Sequence, residues 1–239
     1  MTVLVIGANG AIGTACVAEL KVHGEVIATD LKEPSFADVK CDALDVTDAK
    51  HVLDVIAGYD EMNQLSGLVY AAGLNTTGPV DDIDWQAYER VMAVNLRGAF
   101  HVGAAITARL RKSPRKFSSV FIASTAGLLG EAGGTVYCAS KFGLIGFTQS
   151  IAGELAPFGG RANAVCPGNV DSPMLAELAT KIGARVGMSG EATLAEWKRA
   201  SAFKRLIEPA EVARTCAWLL SDNSSGISGQ SIVVDGPRA

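Results

Sequence analysis

Residues 3–13 read Val-Leu-Val-Ile-Gly-Ala-Asn-Gly-Ala-Ile-Gly, an apolar run that breaks at once into three glycines and then into a helical pattern. Such a start commits the chain to a strand, a tight turn and a helix packed back on that strand. The same rhythm recurs. Short Val- and Ile-rich runs at Val3–Ile6, Val26–Ala28, Leu68–Ala72, Val120–Ala123, Ala162–Val165 and Ser231–Val234 read as strands buried on both faces, with a weaker one at Asp38–Cys41. Helical stretches fall between them at Ile12–Val22, Ala49–Ala57, Trp85–Leu110, Val136–Ala156 and Glu211–Leu220. This alternation predicts right-handed crossovers and an α/β fold, a three-layer doubly wound parallel sheet of the Rossmann type with about seven strands.

Two stretches break the rhythm. Only eleven residues, Pro34 among them, separate Asp30 from Asp42, too few for a crossover helix, so a bare loop or single turn is expected there. The stretch 170–203 is longer than a simple crossover and carries Met174, Leu175, Leu178, Ile182, Met188 and Trp197 among small and polar residues. Insertions of this kind near strand ends make substrate lids. No linker or repeat divides the chain, so the expectation is one domain over 1–239 with a lid at 170–203.

Composition narrows the function. A formal net charge of −4 lacks the basic excess of a nucleic-acid binder. The chain has no run of 18 apolar residues to span a membrane, and the first residues pass directly into a strand without a signal-like basic segment. A cytoplasmic protein with neither nucleic-acid nor membrane partners is expected. Cys16, Cys41, Cys138, Cys166 and Cys216 are scattered, without a C-x-x-C or clustered histidines, and read as small buried hydrophobes, so no metal is expected.

The glycine loop has the spacing Gly7-x-x-Gly10-x-x-Gly13, with Asn9, Ala11 and Ile12 between. Glycine lets backbone approach a pyrophosphate, and the helix N-terminus meets its charge. Seventeen residues on, Asp30 closes the second strand, where a carboxylate accepts from ribose hydroxyls and repels a 2′-phosphate. That favours NAD(H) without excluding NADP(H). Asp45 and Val46 stand where they could bracket an adenine, although Asp45 also fits a helix start.

Tyr137 and Lys141, at i and i+4, share one helix face. An ammonium beside a phenol favours the phenolate, and together with a positively charged cofactor ring it can supply the roughly 3–4 kcal/mol of differential stabilisation that acid–base work near neutrality asks for. Ser124 closes the strand VFIAS at a carboxyl end of the sheet, where open α/β folds bind ligands. Asn95 interrupts a helix next to Gly98, which predicts a kink or a water site.

These residues, with Ala71-Ala72-Gly73, Tyr137-Cys138-Ala139-Ser140-Lys141 and Pro167-Gly168, resemble the single-domain branch of the short-chain dehydrogenase/reductase family over essentially the whole chain. The resemblance implies Tyr137 as general acid/base, Ser124 polarising a substrate carbonyl, and Lys141 binding the nicotinamide ribose and lowering the tyrosine pKa. It implies Asn95 holding a water in a proton relay. Pro167, Gly168, Val170 and Ser172 match the segment that contacts the nicotinamide carboxamide. Two departures stand out: Ile6 replaces the usual threonine before the first glycine, and Tyr70-Ala71-Ala72-Gly73 replaces Asn-Asn-Ala-Gly.

The implied activity is hydride transfer between a secondary alcohol or ketone and NAD(H). Leu74, Asn75, Ala126, Leu128, Val136 and the 170–203 segment are expected to line an apolar pocket for a neutral, hydrophobic substrate. The resemblance further implies a homo-oligomer, tetramer or dimer, paired through helices 85–112 and 136–156 and the last strand. A non-catalytic dinucleotide sensor and an epimerase or dehydratase of the longer sister branch are the rival readings.

Overall fold

The computed structural model of the protein describes residues 1–63 and 65–237. Seven strands form one parallel sheet: β1 (Thr2–Ile6), β2 (Glu25–Asp30), β3 (Lys40–Ala43), β4 (Gly67–Tyr70), β5 (Phe117–Ile122), β6 (Gly160–Pro167) and β7 (Ser231–Val234). Their order across the sheet is β3-β2-β1-β4-β5-β6-β7, with every neighbour parallel. Period-two alternation sorts the strand residues between two cores. Leu4, Ile6, Ile27, Leu68, Tyr70 and Phe121 face α2 (Ala49–Asn63), α4 (Gly98–Lys112) and α5 (Thr135–Leu155). Val3, Val5, Val26, Val69, Val120 and Val165 face α1 (Ala11–Leu20) and α8 (Pro209–Leu220). Both faces are covered, which is why the strands read as continuous apolar runs.

The chain direction across the sheet reverses between β1 and β4, and the carboxyl ends of β1, β4, β5 and β6 open into a crevice there. Residues 31–39 form the loop expected of so short a connection, and β3 begins two residues later than anticipated. The long helical stretch is not one helix. It runs as α3 (Trp85–Met92), a wide π-helical turn over Ala93–Arg97, then α4. By length and composition Trp85–Lys112 would suit a bilayer, but half of its most apolar window is buried inside this fold, as befits a core helix.

The 170–203 insertion is built of two helices, α6 (Pro173–Arg185) and α7 (Gly190–Ala200). Ser172 and Ser189 cap them, accepting from the backbone N–H of Leu175 and Ala192. Leu175, Ala179 and Gly183 turn inward from α6, so this pair sits over the carboxyl edge of the sheet.

Candidate active site

The glycine loop is built by close contact. Gly7 has φ of +85°, and a Cβ on it would run into the Ala71–Ala72 backbone; a Cβ on Gly13 would strike the Gly7 carbonyl. The backbone N–H groups of Gly7 and Ala8 donate to the Thr29 carbonyl at 2.8 and 3.0 Å, and Ala71 N donates to the Ile6 carbonyl at 2.8 Å. Thr14 Oγ1 donates to the Ala8 carbonyl at 2.9 Å. The loop is therefore tied to β2 and β4 through backbone, and Ile6 contributes apolar burial where the family's hydroxyl would stand.

Gly10 differs from its neighbours. It is exposed, and it caps α1 with no side-chain hydrogen bond, so the first-turn N–H groups beside Ala11 and Ile12 face outward. At the end of β2 the Asp30 carboxylate accepts from Asn9 N at 3.0 Å and from Leu31 N at 2.7 Å, one bond per oxygen, leaving a lone pair on each. Among the described residues no cation pairs with it. The Asn9 side chain crosses to the Lys32 carbonyl at 2.7 Å and so closes the edge of the loop.

Asp45 and Val46 serve the fold first. Asp45 Oδ1 accepts from Thr47 N and Thr47 Oγ1 at 2.8 and 2.7 Å, an Asx turn ahead of α2. The Val46 side chain is buried under Gly98, and its carbonyl meets His101 Nδ1 at 3.0 Å.

The chemistry-bearing residues converge on a cleft of about 200 Å³ at the carboxyl ends of β4, β5 and β6. Ile12, Ala71, Gly73, Ser124, Tyr137, Lys141, Pro167, Gly168, Val170 and Ser172 line it. Gly7, Asn9, Gly10, Ala11, Gly13, Asp30, Asp45 and Val46 lie further along the same edge of the sheet, and Ala72 backs the glycine loop. Ser172 spends its hydroxyl on the fold, accepting from Leu175 N at 3.2 Å and donating to the Val170 carbonyl at 3.1 Å. Gly168 N donates to the Val234 carbonyl at 3.1 Å, and any side chain at Gly168 would collide with the Asp235 carboxylate.

Asn95 is wholly buried behind the cleft. Its Nδ2 donates to the Leu74 carbonyl and to Ser140 Oγ, both at 2.9 Å, and its Oδ1 accepts from Leu74 N at 2.8 Å. Both amide hydrogens are used, so the side chain braces the site, and only the second Oδ1 lone pair and the backbone of the wide turn remain for a relay water. That turn has its own support. The Tyr70 hydroxyl donates to the Val94 carbonyl at 2.6 Å, and Gly98 is the residue that leaves room for it. Tyr70, noted in the sequence only as a departure, thus fastens the helix that carries Asn95. A buried tyrosine must find a partner for its hydroxyl, which is the signal that was there to read.

Lys141 is 4% exposed and donates to the Ile122 carbonyl at 2.8 Å. This is its one hydrogen bond among the described residues, which leaves two N–H bonds unused. Burial pulls its pKa down to about 8. The lowering expected from the sequence called on a positively charged cofactor ring as well as the lysine; in the protein alone burial pushes the Tyr137 phenol up to about 12, against a smaller opposing effect of hydrogen bonding with Ser124. The reason is geometric. Lys141 Nζ lies 5.7 Å from the centre of the Tyr137 ring and is directed to the strand carbonyl, so it does not outweigh desolvation of the phenolate. Ser124 Oγ accepts from Ala126 N at 3.1 Å, which fixes its rotamer at the head of a short turn.

The rest of the lining differs from the apolar pocket expected. Asn75, Ala126 and, from α6, Met174, Leu175, Leu178 and Ile182 do line the cleft. Leu74 and Leu128 are turned to solvent and Val136 is buried elsewhere, while Thr76, Thr77, Glu131 and Asn169 bring polar groups that no spacing in the sequence flags. One wall is apolar and the other polar.

A nicotinamide dinucleotide fits these residues. The crowded glycines bring backbone to the surface, Gly10 leaves the helix end open, and the unused N–H bonds of Lys141 await an acceptor. Gly73 marks the meeting point: a Cβ there would stand 3.5 Å from Lys141 Nζ and 3.6 Å from Asn95 Oδ1.

Comparisons agree with this geometry. The family model described as enoyl-(acyl carrier protein) reductase matches residues 7–236. A monensin polyketide synthase putative ketoacyl reductase from Streptomyces virginiae is 31% identical over 247 residues, covering 98% of this chain and 95% of its own length. An actinorhodin polyketide ketoreductase solved with NADPH superposes with a TM-score of 0.90 at 26% identity, over 98% of this chain and 95% of that one. NAD+-bound xylitol dehydrogenase gives 0.89 at 25% identity, over 99% and 98% of the two chains. With its parallel sheet, its glycine loop and its Asn95, Ser124, Tyr137 and Lys141 gathered at one edge, the chain belongs to the short-chain dehydrogenase/reductase family.

Proposed function

We propose that this protein interconverts a secondary alcohol and a ketone by hydride transfer, with NAD(H) preferred over NADP(H). The observation that carries the reading is the convergence of Ser124, Tyr137 and Lys141 on one cleft, with Asn95 buried against Leu74 and Ser140 behind it. When bound, the dinucleotide supplies or accepts the hydride. Tyr137, kept protonated by burial, donates the proton to a carbonyl oxygen in reduction and takes it back in oxidation. Ser124 donates a hydrogen bond to the same oxygen and polarises it. Lys141 uses its two unused N–H bonds on ribose hydroxyls and passes protons towards the backbone of the 93–97 turn.

The preference for NAD(H) rests on Asp30, whose two oxygens each retain a lone pair for a ribose hydroxyl and which no cation neutralises. The cleft suits a neutral substrate whose apolar side rests on α6 and whose polar groups meet Thr76 and Asn169. Association into a homo-oligomer is part of the same proposal. Trp85, Phe100 and Phe142, on α3, α4 and α5, are exposed on the helices that would meet a second copy. A cytoplasmic location is also proposed.

The test is direct. Titrate the purified protein with NADH and NADPH, then assay ketone reduction across a panel that includes cyclic ketones, β-keto thioesters and an enoyl thioester. Tighter NADH binding and turnover of a ketone support the proposal. Tight NADH binding with no turnover anywhere would instead favour a dinucleotide sensor.

A further inference from the structure

Hydrogen bonds tie three segments together along one edge of the cleft. Arg185, exposed in the last turn of α6, donates from Nη2 to Oγ1 of the cleft-lining Thr77 at 2.8 Å. Thr77 Oγ1 donates in turn to the Gly133 carbonyl at 3.1 Å, and the same carbonyl accepts from Gly78 N at 2.9 Å. Three segments meet here: the helical insertion, the loop that follows β4, and the loop that leads into α5 and Tyr137. Gly133 has φ of +78°, which turns its carbonyl towards Thr77 at a position that disfavours a side chain. Arg185 forms no ion pair among the described residues, so no carboxylate draws it away from this contact.

Around Asn169 the cleft shares Thr125, Glu131, Gly168 and Asn169 with a neighbouring chamber of about 220 Å³. Its other walls include Trp197, Ser201, Asp235 and Arg205, whose guanidinium is already taken by the Glu211 carboxylate. A hydroxyl acceptor, two carboxylates and an indole surface suit a part of the substrate that donates hydrogen bonds. They offer little to a hydrocarbon tail, which would desolvate the carboxylates without replacing their bonds.

We propose that the Arg185–Thr77–Gly133 clasp closes this edge of the cleft to the substrate and thereby sets specificity, sending the distal end of the substrate past Asn169 into the chamber beside Trp197, which takes a hydroxyl-bearing end. This rests on the alcohol/ketone reading of the site. Arg185 and Thr77 are positioning residues: they act on which end-groups the site accepts, and the proton steps stay with Ser124, Tyr137 and Lys141.

The experiment compares wild type with Arg185→Ala, Arg185→Lys and Thr77→Val on two ketones alike at the carbonyl, one with a bulky hydrocarbon end and one with a hydroxylated end. Losing one charge-assisted hydrogen bond at the rim is worth roughly a tenfold change in discrimination. Arg185→Ala and Thr77→Val are each expected to raise the ratio of kcat/KM for the hydrocarbon ketone over the hydroxylated one about tenfold, with Arg185→Lys restoring part of the wild-type ratio. An unchanged ratio in both variants overturns the proposal.

Backbone hydrogen exchange over 173–185, with NADH present, supplies a readout that does not need turnover. Faster exchange in Arg185→Ala supports the clasp, and identical exchange refutes it. Should wild type reduce no ketone at all, the alcohol/ketone reading fails while hydrogen exchange still decides the clasp.

Discussion

Asn95 grips Leu74 from both sides, its Oδ1 accepting from the backbone N–H at 2.8 Å and its Nδ2 donating to the carbonyl at 2.9 Å. A side chain that satisfies both backbone polar groups of one residue makes the segment after β4 rigid where it passes Lys141. Asn95→Ala strands those groups and takes a donor from Ser140 Oγ, which keeps its bond to the Tyr137 carbonyl. The expected loss is about 2–4 kcal/mol of unfolding free energy, measured by urea titration, along with most of the activity. Wild-type stability in this variant would mean that water replaces the amide at no cost.

Lys141 is a charge held where water is scarce. An unfolded lysine titrates near 10.4 and this one at about 8. Between those values the unfolded state binds the extra proton, so stability rises as pH climbs through the window, and below it the full cost is present. Lys141→Met removes the cost but also the bond to the Ile122 carbonyl. The net expectation at pH 7 is a gain of about 1–2 kcal/mol, or roughly 2–4 °C of melting temperature for each kcal/mol, with ketone reduction abolished. A lower melting temperature would show that the charge is better solvated than its burial indicates.

Burial keeps Tyr137 protonated, with a pKa pushed up to about 12 in the protein alone. Reduction consumes a proton and oxidation needs the phenolate. Alcohol oxidation is therefore expected to accelerate steadily from pH 6 to 10, while ketone reduction stays nearly level below pH 8. Tyr137→Phe should lower kcat in both directions by about 10²–10⁴ with NADH affinity within a few-fold. Retained turnover in that variant would remove Tyr137 from the chemistry.

At the far end of the site, Asp30→Ala deletes the carboxylate that both Asn9 N and Leu31 N address. The ratio of NADPH to NADH in kcat/KM should rise at least about tenfold, since a ribose acceptor is lost and repulsion of a 2′-phosphate is lifted. A ratio that does not move would leave Asp30 as a turn residue only.

Tyr70→Phe tests the brace on the wide turn. Without the hydroxyl the Val94 carbonyl loses its partner in a buried site, at a cost of about 1–3 kcal/mol. Because Asn95 lies next in the chain, kcat should fall more than NADH affinity. An equal fall in both would point to a general loosening of the fold.

The layered sheet was legible because strand residues such as Leu4 and Val5 alternate between two covered faces, leaving short apolar runs that few other folds produce. Asn95, Ser124, Tyr137 and Lys141 could be paired from spacing, since helical period and strand ends fix where such side chains point. Other features were not legible. Thr77 and Glu131 reach the cleft only because two loops fold over it, and loop paths are set by long-range contacts such as Thr77 with Gly133. The direction of the Tyr137 shift depends on whether Lys141 aims at the phenol or at Ile122, a matter of a few ångströms that no spacing encodes. The helices α6 and α7 were missed as helices because their apolar residues are sparse, and serine caps carry much of the signal.

The contact between Gly168 and the end of β7 has a consequence for how the protein is made. A ribosome finishes the glycine loop, Ser124 and Tyr137 long before it adds Val234 and Asp235. Yet the cleft wall at Pro167 and Gly168 is held by that late strand. During synthesis the nascent chain can own every chemical group of the site and still lack the wall beside them. A chain cut before β7 is thus expected to keep every chemical group of the site and lose the wall beside them.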